Sequence, residues 1–201
     1  MPDFWVLQER DKIARRGEHV CQYDIEEPQV VEQSDVRCPV CNAFAAPAIW
    51  MPPRKAKIET KDIGCGDLLL GVAYELVVSS EFRNIYMKTK LSGLSGFEPL
   101  EVIGTKREYF TSRPKIILAK LDETASGVSY YKAPTCEHCG LGAIKSLDRL
   151  VLDPTNWDGS DIFMATGAYN IKLVTNSFCK QVEQAKLTNF VFIPAGEYHF
   201  P

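Results

Sequence analysis

Histidine is scarce in this sequence, with His19, His138 and His199 the only three. The H-E-x-x-H pair of zinc proteases is absent, as are the G-x-S-x-G elbow, the phosphate-binding P-loop and the dinucleotide loop G-x-G-x-x-G. No pair of carboxylates is marked out for acid–base work. Long apolar runs are missing too: Leu68-Leu69-Leu70-Gly71-Val72-Ala73 falls far short of the roughly 20 residues that cross a bilayer. Charge of one sign is not in excess. Lys and Arg number 23 against 26 Asp and Glu, a net charge of −3, so the total does not point to nucleic acid or an acidic membrane. The opening MPDFWVLQERDKIARR lacks a basic start followed by an apolar stretch, and the expectation is a cytoplasmic protein without a secretory signal. These absences lower the odds of catalysis, and the expectation is that the chain is not an enzyme.

What is present is ordinary globular material, 45% apolar and 24% charged over 201 residues, enough to build a hydrophobic core without staples. Phe4 to Gln8 reads as an opening strand and Val20 to Ile25 as a second. An acidic stretch from Asp24 to Asp35 and the segment Pro47 to Lys61, with Pro52-Pro53 inside it, read as irregular surface connection. Lys115 to Leu121 and Val128 to Tyr131 have strand character, with a turn at Asp122 to Gly127.

Two segments share one pattern. Tyr74 to Ser80 is strand-like, Phe82, Ile85, Tyr86 and Thr89 keep helical spacing, and the unit closes on Phe97-Glu98-Pro99. Tyr169 to Asn176 is strand-like, Phe178, Val182 and Ala185 keep helical spacing, and the unit closes on Phe192-Ile193-Pro194. Ser79 or Ser80 would cap the first helix and Thr175 or Asn176 the second. The pattern fits either a duplication or a chance recurrence of a common β-α-β arrangement. The expected class is α+β, mostly antiparallel sheets with a few packed helices. The whole chain, 1–201, would form one domain with two similar lobes, about 1–105 and 106–201.

Seven cysteines cannot all pair, and a reducing compartment disfavours a disulfide framework. Four of them fall in two matched turns, Cys38-Pro39-Val40-Cys41-Asn42 and Cys136-Glu137-His138-Cys139-Gly140, with 94 residues between the pairs. Two intervening residues let both sulfurs of a pair reach one ion, and four thiolates suit tetrahedral Zn2+. The residue after each pair must bend back with positive φ, which glycine and asparagine do most easily. Cys38, Cys41, Cys136 and Cys139 are therefore the expected ligands of one structural zinc, a clasp between two distant parts of the chain. His138 inside the second turn is the substitute ligand to weigh against them. Redox use of one C-x2-C would require a strand-to-helix setting that neither turn offers. Cys21 and Cys179 read as buried small hydrophobes. Cys65, between Gly64 and Gly66, has no histidine nearby to activate it.

The paired turns resemble those of the double-CXXCG motif proteins, a paralogous group best known in Myxococcus that includes immunity proteins of the Sit toxin systems. Trp157-Asp158-Gly159-Ser160-Asp161-Ile162-Phe163, the strand at Ile171 to Thr175, Phe178 and Phe192-Ile193-Pro194 are similar to that family's C-terminal half. It also resembles the related immunity domain found beside polymorphic toxins. The likeness runs from Phe4-Trp5-Val6-Leu7 to about Tyr198, with only general outline in the middle. Asn42 stands where the family has glycine. The resemblance implies a cytoplasmic antidote in bacterial competition, binding a cognate protein toxin by occlusion, with no membrane or nucleic-acid partner. Trp157, Asp158, Asp161 and the acidic stretch would be candidate contacts; ordinary core packing for Trp157 and a cap or turn bond for Asp161 are the plainer alternatives. Two rival functions remain: a zinc-ribbon adaptor for nucleic acid or another protein, and a thiol oxidoreductase.

Overall fold

In the computed structural model the described residues are 3–9, 23–24, 37–43, 52, 54–58, 66–70 and 75–200. In chain order they form β1 (Phe4–Glu9), β2 (Tyr23–Asp24), β3 (Lys55–Ile58), β4 (Leu68–Leu70), β5 (Leu76–Ser79), α1 (Ser80–Thr89), β6 (Glu98–Ile103), β7 (Tyr109–Ser112) and β8 (Lys115–Leu121). There follow α2 (Glu123–Ser126), β9 (Ser129–Lys132), β10 (Ala143–Ser146), β11 (Leu152–Asp153), β12 (Ile162–Thr166), β13 (Ala168–Thr175), α3 (Asn176–Gln184) and β14 (Phe190–Pro194). Short 3-10 turns lie at Pro154–Asn156 and Ala195–Glu197.

Two six-stranded sheets result, one ordered β2-β3-β6-β7-β5-β4 and the other β11-β8-β12-β13-β1-β14, and β9 pairs with β10 in a separate ribbon. Pairing is antiparallel except for β3 with β6 and β8 with β12. The class is α+β, as the residue patterns imply.

The helices start where the sequence supplies a hydroxyl. Ser79 Oγ accepts from the Phe82 amide at 3.1 Å and Thr175 Oγ1 from the Phe178 amide at 3.3 Å, satisfying N–H groups that have no partner inside the helix. Both strand–helix–strand elements expected from the repeated pattern are present. Each helix turns its apolar stripe toward the other. Phe82, Tyr86, Phe178, Cys179 and Val182 form one core with Leu7, Leu76, Val78, Ile162 and Val174. The Phe82 ring lies 6.0 Å from that of Phe178 and stacks at 5.5 Å on Phe190. A second core on the opposite face of the later sheet holds Val6, Ile117, Leu121, Leu147, Leu150, Phe163 and Leu173. Covered on both faces, β12 is buried throughout, which explains its unbroken apolar run Ile162-Phe163-Met164-Ala165.

Two readings of the sequence change. Within Pro47 to Lys61, read as irregular, Lys55–Ile58 is a strand held parallel to β6. Lys55-Ala56-Lys57-Ile58 does alternate, with Ala56 buried, but four residues close behind Pro52-Pro53 are too few to mark a strand. The turn at Asp122 to Gly127 is a single helical turn, capped by the Asp122 carboxylate at the Ala125 amide (2.9 Å) and closed by Gly127 at φ 61°. Of the expected strand Val20 to Ile25, Tyr23–Asp24 is a strand; its other residues, the acidic stretch beyond Asp24, Cys21 and Cys65 lie outside the described residues. No helix among the described residues is long and apolar enough to cross a membrane.

Candidate metal centre

The second cysteine pair sits on the loop that joins β9 to β10. Its turn closes through the Gly140 amide, which donates to the Cys136 carbonyl at 2.9 Å, with Gly140 at φ 57°. The first pair repeats this geometry: the Asn42 amide donates to the Cys38 carbonyl at 2.9 Å, with Asn42 at φ 59°. The left-handed backbone expected after each pair is thus present in both, asparagine serving as glycine does. The Cys38 amide also donates to the Ala43 carbonyl at 2.8 Å, and the Arg37 guanidinium to the Asn42 carbonyl at 3.1 Å, so the first turn is tied down on both flanks.

The two turns meet. Cys38 Sγ lies 3.9 Å from Cys136 Sγ and Cys41 Sγ 3.7 Å from Cys139 Sγ, and all four sulfurs fall within 4.8 Å of one another. Four thiolates about 2.3 Å from one ion at tetrahedral angles stand about 3.8 Å apart. The Cys38–Cys136 and Cys41–Cys139 separations match that figure and are far longer than the ~2.05 Å of a disulfide. These four residues could hold a metal ion such as zinc. Cys38, Cys136 and Cys139 are buried, and Leu141 packs against them; Cys41 is exposed.

The charge state of the cluster depends on its occupant. The backbone amide of Cys41 is the chief influence drawing the Cys38 thiol down to about 7, whereas burial pushes Cys139 up to about 12. Cys41 is also raised: the amide of Ala43 favours its thiolate, but partial desolvation and the neighbouring Cys38 and Cys136 thiols together outweigh it. Four thiolates this close repel one another, and a divalent cation is what allows all of them to ionise together.

The seat of the second turn was not legible in local spacing. The Tyr169 hydroxyl, from β13, donates to the Cys139 carbonyl, and Lys120 Nζ, from β8, donates to the Glu137 carbonyl at 3.1 Å. A Cβ added at Gly140 would stand 3.3 Å from the Gly167 Cα in the β12–β13 turn, so glycine also permits close docking on the sheet. Tyr169 and Lys120 come from distant strands, and nothing in their neighbours marks them. His138 is exposed and lies beside Val40, Lys120 and Glu137 in an open groove, outside the sulfur cluster. Cys139 leads into a strand, not a helix, unlike a redox C-x2-C.

The other candidate residues have structural tasks. Trp157 packs edge-on against Phe4, with ring centroids 5.4 Å apart, and its indole donates to the Ser160 carbonyl at 3.1 Å. Asp158 accepts from the Ser160 amide at 3.0 Å in a local turn. Asp161 bonds Thr175 and Ser92, far along the chain. Cys179 is buried on α3.

Comparison with models of protein families and with curated proteins gave no match.

Proposed function

We propose that this chain is a non-catalytic binding protein of the immunity type, held in shape by one structural zinc, which neutralises a cognate bacterial toxin by covering it. The observation that carries the zinc is the convergence of four sulfurs within 4.8 Å of one another from two turns of matched backbone form. The antidote role is supported by the resemblance of those turns, and of the segment Trp157 to Phe163, to the double-CXXCG motif proteins. On this reading the metal does no chemistry. It ties residues 37–43 to the loop between β9 and β10, and so fixes the surface a partner meets.

Co-expression with the toxin encoded beside it should restore growth and yield a stoichiometric complex. Growth arrest despite abundant folded protein would overturn the antidote role. Elemental analysis of the same preparation tests the zinc separately. A zinc-ribbon adaptor for nucleic acid would instead shift a labelled duplex at low salt, which the weakly acidic balance disfavours. A thiol oxidoreductase would turn over a disulfide substrate and lose that turnover on Cys38→Ser.

A further inference from the structure

Five hydrogen bonds around Asp67 recur around Asp161. The Ser79 hydroxyl donates to Asp67 Oδ1 at 2.6 Å, and the Ser79 amide to the Asp67 carbonyl at 3.0 Å. Asp67 Oδ2 accepts from the Thr188 amide at 2.8 Å and hydroxyl at 2.9 Å, and the Asp67 amide returns to Thr188 Oγ1 at 3.2 Å. On the other side the Thr175 hydroxyl donates to Asp161 Oδ1 and the Thr175 amide to the Asp161 carbonyl, both at 3.0 Å. Asp161 Oδ2 accepts from the Ser92 amide and hydroxyl, each at 3.0 Å, and the Asp161 amide is shared between Ser92 Oγ at 3.3 Å and the Ser92 carbonyl at 3.1 Å, the latter bond an addition on this side.

In both cases the aspartate opens a hairpin whose second strand ends in the N-cap of a helix. It reaches across to the residue just beyond the other helix. Subtracting 79 from 175, 82 from 178 and 92 from 188 gives 96 each time. Lys90 and Lys186 share a left-handed backbone at φ 57° and 55°, and the Leu91 and Leu187 amides each donate at 3.1 Å to the residue five places back.

Strand order and register agree as well. The run β4-β5-β7-β6 has the counterpart β12-β13-β1-β14, antiparallel throughout. Ser79 faces Tyr109 and Thr175 faces Phe4; Pro99 faces the next residue, Phe110, and Pro194 faces Trp5. The third strand, β7, follows the first unit in sequence, whereas its counterpart β1 comes from the start of the chain. Packing is complementary where the clasps close. A Cβ at Gly66 would meet the Asn189 side chain at 2.2 Å, and one at Gly93 would meet the Ile162 carbonyl at 1.9 Å and Ser160 Cβ at 3.1 Å. Gly66 before Asp67 faces Asn189 after Thr188, and in the other clasp Gly93 after Ser92 faces Ser160 before Asp161.

We infer that the chain contains one four-stranded, single-helix unit twice, the second copy completed by the N-terminal strand, and that Asp67 and Asp161 are equivalent latches by which each copy holds the far end of the other's helix. Isolated β-α-β likeness would not repeat five long-range bonds atom for atom. Arg107, which pairs with both Asp67 and Glu81, is an addition on the first side.

Amide hydrogen exchange on the full chain tests this. Asp67→Asn should speed exchange at the Thr188 amide by at least about tenfold, and Asp161→Asn should do the same at Ser92. The milder Thr188→Ala, which keeps both aspartates, should speed the Asp67 amide, whereas Ser92→Ala should leave the Asp161 amide protected by its bond to the Ser92 carbonyl. The paired exchange Ser92→Thr with Thr188→Ser should still unfold in one transition, its midpoint shifted by only a few degrees. Loss of protection confined to the altered copy, a response to only one of the two aspartate substitutions, or failure of the exchanged chain to fold while both alanine variants fold, would overturn the inference.

Discussion

At the scale of the residue, the positions that define the metal centre are not all cysteines. Asn42 and Gly140 occupy the same left-handed backbone, but Asn42 is exposed, whereas a Cβ at Gly140 would stand 3.3 Å from the Gly167 Cα. Asn42→Gly should therefore leave thermal stability within a few tenths of a kcal/mol, whereas Gly140→Ala should cost about 1–2 kcal/mol from strained φ and a tightened contact with Gly167. Urea unfolding of the two variants checks the asymmetry. Tyr169 is the residue outside the motif with the most direct hold on it. Tyr169→Phe keeps the ring packing and removes only the donor to the Cys139 carbonyl. Zinc affinity, read by competition with a chromophoric chelator, should weaken by about tenfold while the unfolding midpoint of the loaded protein moves little. Unchanged affinity would mean that the turn holds its shape without the sheet.

At the scale of the element, two capped helices and the strands beside them were the most legible part of the sequence. Ser79, Thr175 and the helical spacing of Phe82, Tyr86, Phe178 and Val182 announced both, because a cap and an apolar stripe are local signals. Strand β3 was hidden because Lys55-Ala56-Lys57-Ile58 alternates over only four residues close behind Pro52-Pro53, and the one-turn helix at Glu123–Ser126 because it is too short to show a period. The two core phenylalanines meet between helices that lie 96 positions apart, a contact that no local pattern reveals. Phe82→Ala, in a side chain 1% exposed and stacked on Phe190, should cost about 3–5 kcal/mol in urea unfolding. Met87→Ala, 64% exposed on the same helix, should stay within about 0.5 kcal/mol.

At the scale of the whole molecule, several ionisable groups are held neutral by burial. Burial pushes Cys179 up to about 12 from 9.0, and Tyr109 and Tyr169 up to about 12 from 10.0. Such groups ionise first in the unfolded chain. Their contribution is therefore fully present below about pH 9 and is lost as pH rises from there through 12. Unfolding midpoints should fall steadily above about pH 9; a rise between about pH 9 and 12 would contradict the buried, neutral assignment. The sequence revealed that four cysteines in two turns could share one ion, since the turn chemistry at Asn42 and Gly140 is local. It could not reveal what brings the turns together. The seat of the second turn, for one, depends on Tyr169, Lys120 and Gly167, drawn from two strands and a hairpin turn that meet only in the folded sheet. Nor did it reveal that Phe4–Glu9 joins the sheet of the later strands, because strand pairing over such a distance leaves no local trace.

The convergence of those turns on a single cation is the claim most open to direct measurement. X-ray absorption at the zinc edge, on protein purified without added metal, should show one zinc per chain with four sulfurs at about 2.3 Å and no nitrogen or oxygen neighbour. The signal should vanish in Cys136→Ser, whose stability should drop by several kcal/mol. Protein free of metal with four reactive thiols, or a zinc bound through His138, would contradict the account.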